Sequence, residues 1–452
     1  MPHDSRNSLL PGHSLTRSLT GLAAPMLIGA LLQNLQSVID MFWVGRLGPV
    51  AVGAVAVSGT ILMILFPMLM GVSVGTVALV ARFIGAGDLE KANAAAGQSL
   101  TLSVLLGAAS GAVGWAFTLP LFELLGTPPE IAAAGEPFLR ISLLGSATVF
   151  FLFQANAALQ GAGDAWTPMW IMLISNVLNI VLEPLFIFGL GPLPPMGVRG
   201  AALATVLAQA LAALLSMHAL SAGRSRLHVT SRQWRPDWNL CWRILRIGIP
   251  GSGQMFTRSL MSAVMMRIVA GFGTMAVAAY GIGMRLHMLI LMPAFAFGGA
   301  AATLVGQNLG ANRPAVAARA AWLATGLDAL IMLAAAGVML TVPEPVIRFF
   351  NADPEVVRLG ADYLRIVSPF YLFAALGIVL GRGLNGAGDS LAPMIVTILS
   401  LWGAQVPLAL WFSRIWNPPI NGVWWAMGVA ILLHGLLITA WFSTGRWKHQ
   451  KV

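Results

Sequence analysis

The segment LTGLAAPMLIGALLQNLQSVIDMFWV, residues 19–44, determines how the rest of the chain must be arranged. Its 26 residues are mostly apolar, and an α-helix needs about 20 such residues to cross a bilayer. Gln33, Gln36 and Asp40 follow the spacing i, i+3 and i+7, which places them on one helix face. A carboxylate inside a membrane segment costs roughly 2.5–3.5 kcal/mol. We therefore expect Asp40 to face protein or water, either as a cation or proton site or as an interfacial residue near the helix end.

Composition independently indicates a membrane protein. Of 452 residues, 58% are hydrophobic and 9% are charged, whereas soluble domains carry about 25% charged residues. The net charge is +10, but basic residues in a membrane protein mostly reflect its orientation in the bilayer. We therefore expect no nucleic-acid partner. The one cysteine, Cys241, permits no disulfide within the chain.

Twelve apolar segments predict an all-α polytopic membrane protein with twelve transmembrane helices. They lie within residues 18–44, 51–81, 93–119, 136–160, 167–190, 198–221, 241–268, 275–304, 316–341, 359–382, 391–415 and 422–444. Most basic residues lie near cytoplasmic ends when the N-terminus is placed inside. We therefore expect a multi-pass membrane protein with both termini cytoplasmic.

An internal repeat relates the two halves of the chain. LQGAGD, ending at Asp164, recurs as LNGAGD, ending at Asp389, an offset of 225 residues. The same offset pairs prolines and loop glycines without a gap, among them Pro25 with Pro250, Gly48 with Gly273 and Gly85 with Gly310. Hydrophobic helices that resemble one another by chance would not keep loop motifs in register, so we interpret the repeat as a duplication. The two aspartates are typical of turn and capping chemistry.

The duplication predicts the domain organisation. We expect a cytoplasmic N-terminal arm, an N-lobe of six spans, a cytoplasmic linker, a C-lobe of six spans and a cytoplasmic tail. These cover residues 1–14, 15–221, 222–239, 240–446 and 447–452. Because each lobe has an even number of spans, both enter the membrane in the same direction, related by a pseudo-twofold axis along the membrane normal. Two such lobes favour a transporter over an enzyme or a channel.

A second polar stripe lies in the fifth span. Asn176, Asn179 and Glu183 repeat the spacing found in the first span, and Thr205 of the sixth span can add a hydroxyl. Carboxylate, amide and hydroxyl oxygens can ligate Na⁺, and the same carboxylates can hold a proton. We therefore predict a cation-coupling site in the N-lobe at Asp40, Asn176, Asn179, Glu183 and Thr205.

The offset of 225 finds no such stripes in the second half. The residues at the corresponding positions are Arg258, Met261, Met265, Leu401, Ala404 and Leu408. Mere maintenance of the fold would tend to need the stripes twice, so their asymmetry favours a functional cluster.

Other polar and flexible residues within the spans are candidates for a substrate cavity. The candidates are Gln33, Gln36, Arg258, Met261, Arg285 and Asp328. A structural pair between Asp328 and a nearby arginine is the alternative to a role in substrate handling. Prolines within spans kink helices, and we expect Pro25, Pro184 and Pro250 to bend theirs.

Together these features resemble the multidrug and toxic compound extrusion (MATE) family, most closely its DinF-like branch. The resemblance rests on twelve spans in two lobes, VIDMFWVGRLG, NVLNIVLEPLFIFG, GVRGAALAT and the paired GAGD turns. It implies export of cationic or amphiphilic compounds in exchange for H⁺ or Na⁺, with Asp40, Asn179, Glu183 and Thr205 matching the N-lobe cation site. The chain departs from the pattern twice. Glu183 replaces the usual Asp, and Arg258 stands where the NorM-like branch has Glu.

The leading prediction is thus an antiporter that works by alternating access of two lobes and needs no cofactor. The resemblance implies that it acts as a monomer in the lipid bilayer of the bacterial inner (plasma) membrane. A lipid-linked precursor flippase of related architecture is the alternative, although extra helices and a strongly cationic cavity are typical of those proteins. A membrane enzyme is a weaker alternative because the sequence has no HExxH motif, Gly-rich phosphate loop or HxxxxD-like pair.

Overall fold

The structure, a computed structural model, describes residues 15–189, 194–223 and 225–450. The predicted N-terminal arm 1–14, Arg224 and the last two residues of the predicted tail lie outside these ranges. The α-helices are α1 Leu15–Gly45, α2 Pro49–Leu62, α3 Phe66–Gly85, α4 Leu89–Leu124, α5 Pro129–Leu144, α6 Ser146–Gly161, α7 Trp166–Phe188, α8 Val198–Ser221, α9 Trp238–Ala270, α10 Thr274–Gly310, α11 Pro314–Thr341, α12 Pro343–Arg348, α13 Pro354–Val367, α14 Tyr371–Ala375, α15 Gly381–Gly386, α16 Leu391–Ile398, α17 Val406–Ile415 and α18 Pro419–Ser443.

These helices confirm the predicted all-α fold, and each predicted span falls on one of them or on a consecutive group. By length and composition ten described helical segments can cross a membrane, and α5 with α6, bent by 45°, makes an eleventh. The one predicted span not among these eleven is 241–268, which lies on α9. This helix is less apolar because it carries four arginines, at positions 243, 246, 258 and 267. The count of twelve is therefore consistent with the structure.

The repeat extends to the ends of helices and to the backbone of turns. Four pairs of helices begin at the offset of 225: α2 and α10, α4 and α11, α5 and α13, α7 and α16. Gly48 and Gly273 have φ of 101° and 102°, a conformation that glycine adopts without steric cost. Gly87 has φ of 76°, and its counterpart Asn312 has φ of 57°. Asparagine tolerates this left-handed conformation better than most residues, which explains how the turn survives the loss of glycine.

The core of the second half is built around buried aromatic rings. Trp424 of α18 stacks on Tyr280 of α10 with ring centroids 5.8 Å apart, and it meets Tyr363 of α13 edge-on at 5.1 Å. All three rings are at least 98% buried. Aromatic pairs of this kind add about 0.5–1.5 kcal/mol beyond the area they bury.

Internal packing divides the chain into two compact units whose boundaries differ from the expected lobes. One unit is Ala24–Ile249, and the other joins the chain up to Ala23 with the chain from Pro250 onward. The first unit therefore includes the linker and the first turns of α9. A Cβ on Gly75 of α3 would clash with the carbonyl oxygen of Ile244, and one on Gly248 would lie 2.7 Å from the carbonyl oxygen of Gly71. Glycines thus let α9 pack closely on α3.

The linker is fastened to the first unit by Gln98 of α4. Its Nε2 donates to the carbonyl oxygens of Gln233 and Arg235, both at 2.8 Å. Its Oε1 accepts from the backbone N–H of Asp237 at 2.9 Å. Trp234 stacks on Phe151 of α6, with centroids 6.1 Å apart. One buried side chain thus satisfies three backbone groups of an otherwise irregular segment.

Candidate functional site

Two carboxyl groups meet inside the first unit. Asp40 lies near the end of α1 and Glu183 near the end of α7, and their carboxyl groups are close enough to repel each other when both are ionised. Glu183 is fully buried, and Asp40 is half-buried. A proton on one of them, or a cation between them, removes this repulsion. The structure thus brings together the two carboxylates that the sequence placed on matching helical positions.

Hydrogen-bond donors from the described residues do not reach most of the oxygens of this pair. Neither oxygen of Glu183, nor Oδ1 of Asp40, receives an N–H or O–H group from the part of the chain that the structure describes. Buried carboxylates without donors are costly when ionised, because nothing replaces the water they have lost. The pair is therefore suited to hold a proton or a small cation.

Asn179 and Thr205 add further oxygens. Asn179 lies one turn before Glu183, is fully buried, and donates from Nδ2 to Oγ1 of Thr205 at 3.3 Å. The hydroxyl of Thr205 in turn donates a hydrogen bond to the carbonyl oxygen of Ala201 at 3.0 Å. Oδ1 of Asn179 has no donor among the described side chains and backbone groups. This amide oxygen can therefore serve as a ligand for a hard cation beside the carboxylates.

Asn176 has a different position from its neighbours in the stripe. Its Nδ2 donates to the carbonyl oxygen of Leu32 at 2.8 Å, which ties α7 to the middle of α1. Ser175 next to it donates to Ala208 of α8 at 3.1 Å. These bonds position the helices that carry Asp40 and Glu183. Gln33 is exposed and Gln36 is half-buried, and the structure gives neither side chain a hydrogen bond to the described residues.

The substrate-cavity candidates of the second half have different environments. Met261 is buried, Arg285 is exposed on α10, and Asp328 is fully buried on α11. Among the described residues, the expected pair between Asp328 and an arginine is absent. Neither carboxylate oxygen of Asp328 has a hydrogen-bond partner within residues 15–189, 194–223 and 225–450, and the ion pairs found there involve other residues.

Arg258 instead meets His434, a contact that sequence reasoning missed. Nη2 of Arg258 lies 3.3 Å from Nε2 of His434, and the same ring nitrogen lies 3.3 Å from Oγ1 of Thr397. The residues are too far apart in sequence for helical periodicity to relate them. Two π-helical segments adjoin the cluster, Leu376–Leu380 and Leu399–Gln405.

The three prolines expected to bend helices all lie within helices. Pro25 is inside α1, Pro184 inside α7 and Pro250 inside α9. Pro184 directly follows the buried Glu183, and the two unit boundaries fall within two residues of Pro25 and Pro250.

A duplicated bundle of membrane-spanning helices with a buried carboxylate pair defines a membrane transporter. The MatE family model matches residues 25–185 and 250–411, one match in each half. The chain therefore belongs to the MatE family, whose members are transporters and not enzymes.

Individual relatives and solved structures agree with this assignment. A probable multidrug resistance protein NorM of Thermotoga maritima is 29% identical, over 97% of this chain and 94% of that protein. An FAD transporter of Shewanella oneidensis is 27% identical over 93% and 92%. A MATE crystal structure in the bent conformation covers 96% of this chain and 95% of its own, with a TM-score of 0.89 and 27% identity. A MOP superfamily transporter from Pyrococcus furiosus, described as having a binding pocket of reverse polarity, covers 97% and 98% with a TM-score of 0.88 and 26% identity.

Proposed function

We propose that the protein exports small cationic or amphiphilic molecules in exchange for H⁺, Na⁺ or both, by alternating access of its two halves. The observation that carries the proposal is the meeting of Asp40 and Glu183 without donors from the described chain. The multidrug resistance names of several relatives support export of drugs and toxic compounds. Both termini lie in the cytoplasm and the bilayer is the inner membrane.

Energy coupling requires that the ion bind the two states of the transporter with different affinity. With both carboxyls ionised, mutual repulsion and burial destabilise the closed pair, and a proton or Na⁺ removes that cost. One charge moving through 100 mV supplies about 2.3 kcal/mol, and a tenfold ion gradient adds about 1.4 kcal/mol. Together these energies are enough to shift a two-state equilibrium by two to three orders of magnitude. The part of this shift that is realised depends on how differently the two states bind the ion at Asp40 and Glu183.

The helices that carry the pair also contain the prolines. Pro184 interrupts the hydrogen bonding of α7 next to Glu183, and Pro25 does so in α1, four turns before Asp40. Bending at these points can convert occupancy of the pair into movement of helix ends. Asn179 and Thr205 complete the ligand set if the ion is Na⁺, and Asn176 positions α7 on α1.

The test is dye counterflow in proteoliposomes, with a proton gradient and a Na⁺ gradient imposed separately. We expect Asp40→Asn and Glu183→Gln to remain folded and to lose gradient-driven export, because an amide imitates a carboxyl that cannot release its proton. Glu130→Gln, which neutralises an exposed carboxylate at the start of α5, is the matched control and should retain export. Wild-type coupling to both ions in both site variants would refute the proposal.

A further inference from the structure

A basic cluster inside the second unit stands apart from the carboxylate pair. It consists of Gln254 and Arg258 on α9, Thr397 on α16 and His434 on α18. Gln254 Nε2 donates to Oγ1 of Thr397 at 3.1 Å, and Thr397 donates to the carbonyl oxygen of Pro393 at 2.8 Å. Nε2 of His434 lies 3.3 Å from both Arg258 and Thr397.

The protons in this cluster can be placed from the chemistry of the partners. A guanidinium only donates, so Nε2 of His434 must accept from Arg258. The hydroxyl hydrogen of Thr397 is used by Pro393, and its oxygen accepts from Gln254. The imidazole is then the neutral tautomer with its hydrogen on Nδ1. The net charge of the cluster is the positive charge of Arg258.

That charge has no counter-ion in the part of the chain that the structure describes. The ion pairs found there involve Lys91, Arg140 and Arg365. Arg382 on α15 repels Arg258 instead of balancing it, and rests on the ring of Phe295 at 5.2 Å. A cation within a membrane protein normally faces a partner or a water-filled cavity, because an unpaired one is costly. Arg258 is half-buried, and its guanidinium has five N–H donors, of which one is directed at His434.

Beside this cluster, the backbone of the second half departs from regular α-helix. His434 packs against Gly377, in the π-helical segment Leu376–Leu380, so closely that a Cβ on the glycine would collide with Nδ1. The other π-helical segment begins two residues after Thr397. Their counterparts in the first half, residues 151–155 and 174–180, lie in regular α-helix. Such bulges are rare and occur often at functional sites.

The side chains of the cluster also differ from those at the corresponding positions of the first half. At the offset of 225, Arg258, Thr397 and His434 correspond to Gln33, Met172 and Gln209. The duplicated fold is therefore maintained once without these three residues. One half carries the carboxylate pair, and the other carries an arginine that lacks a counter-charge.

We propose that Arg258, held by His434, binds an oxyanion on the transported molecule: a carboxylate, sulfonate or phosphate group. The substrates would then include amphiphiles that are zwitterionic or anionic, a wider class than the cations that the sequence predicts. Arginine suits this role because its planar fork matches two oxygens at once. The inference rests on the proposed export function and is independent of which ion drives it.

The test compares rhodamine B with its ethyl ester, since the two dyes share one cationic ring system and differ in a free carboxylate. Binding is measured by fluorescence anisotropy on purified protein in nanodiscs of phosphatidylcholine. We expect the wild type to bind rhodamine B about tenfold more tightly than the ester, the effect of one charge-assisted hydrogen bond of roughly 1.4 kcal/mol. Arg258→Gln should abolish that ratio by weakening the binding of rhodamine B, whereas binding of the ester should not weaken, because the ester has no carboxylate for Arg258 to hold. Retained binding of the ester also shows that the variant is folded.

Two further variants separate the charge from its geometry. Arg258→Lys keeps the charge but not the planar fork, so we expect a reduced preference of a few-fold. Arg267→Gln removes an exposed positive charge from the same helix and should keep the full ratio. An unchanged ratio in Arg258→Gln would overturn the proposal, and so would an equal loss of affinity for both dyes.

The outcomes also distinguish this inference from the proposed function. If both dyes bind equally and are exported by an ion gradient, the oxyanion site is wrong and the antiporter stands. If neither dye is exported under either gradient, yet the preference for rhodamine B depends on Arg258, the antiporter proposal is wrong and the oxyanion site stands. A preference that disappears when phosphatidylglycerol replaces part of the phosphatidylcholine would assign Arg258 to a lipid headgroup and overturn the proposal.

Discussion

The side chain of Gln98 on α4 holds the backbone of Asp237, whose N–H donates to Oε1 of Gln98 at 2.9 Å. The same side chain binds two carbonyl oxygens four and two residues earlier. Gln98 is only 2% exposed, so water cannot substitute for it. The segment between the two halves therefore has a fixed conformation along this stretch, although it contains little regular structure.

Replacing Gln98 should release the linker. We expect Gln98→Ala to cost about 1–3 kcal/mol, because it leaves buried backbone groups without partners. Thermal unfolding measures the loss, and limited trypsin digestion at Arg232 and Arg235 should become faster. Asn93→Ala is the control. It removes one exposed bond to the N–H of His228, so a smaller effect is expected. Equal digestion of wild type and Gln98→Ala would contradict this account.

Asp328 should be replaceable without loss of stability. Its carboxylate is buried with no hydrogen-bond partner in the described chain, so removing it leaves no arginine unpaired. Its repeat counterpart, Ser103, is also buried and donates to the carbonyl oxygen of Leu100. We expect Asp328→Ser to express and melt at least as well as wild type. A clear fall in melting temperature would show that the carboxylate has a stabilising partner.

Asp389 should matter for folding and not for coupling. Oδ2 accepts from Nε1 of Trp441 at 2.9 Å, and Oδ1 accepts from the N–H of Ala392. Asp389→Ala should destabilise the protein by about 1–2 kcal/mol, through loss of the cap and of the indole bond. Ion-driven export per folded molecule should not change. Loss of export with an unchanged melting temperature would instead place Asp389 in the transport mechanism.

Single cysteines test the predicted orientation. In a Cys241→Ala background, Ser225→Cys in the linker and Thr127→Cys before α5 should react with an impermeant maleimide from opposite sides of the membrane. Both positions are half-buried, so a difference in labelling reports the side of the membrane and not exposure. Labelling of both from outside whole cells would reverse the proposed topology.

Hydrophobic length and the repeat predict the helices well because both can be read from the sequence without knowing which helices pack together. The offset of 225 even locates helix starts and the left-handed turns at Gly48 and Gly273. The pairing of Asp40 with Glu183 was also predictable, since equal spacing on two helices of one direction places the carboxylates at equal depth. The exposed Gln33 belongs to the same stripe and shows that a common helix face does not imply a common environment.

Contacts that depend on a bulge or on distant residues could not be predicted. The segments Leu376–Leu380 and Leu399–Gln405 each contain one glycine, as many of the regular helices do, so nothing local indicates π-helix. The contact between Arg258 and His434 depends on how three helices pack. The contact between Gln98 and the linker could not be predicted either, because one glutamine in an apolar span is compatible with many partners.

The close packing of α9 on α3 has a consequence for how the chain can be divided. A cut in the linker would place residues 238–249 on one fragment and the surface around Gly71 and Gly75, which they cover, on the other. Residues 15–23 would likewise be cut off from the unit to which they belong. Each fragment would hold one full copy of the duplicated sequence and still lack a piece of its own fold. The duplicated module therefore no longer folds independently. We expect the two fragments to accumulate in cells only when they are made together.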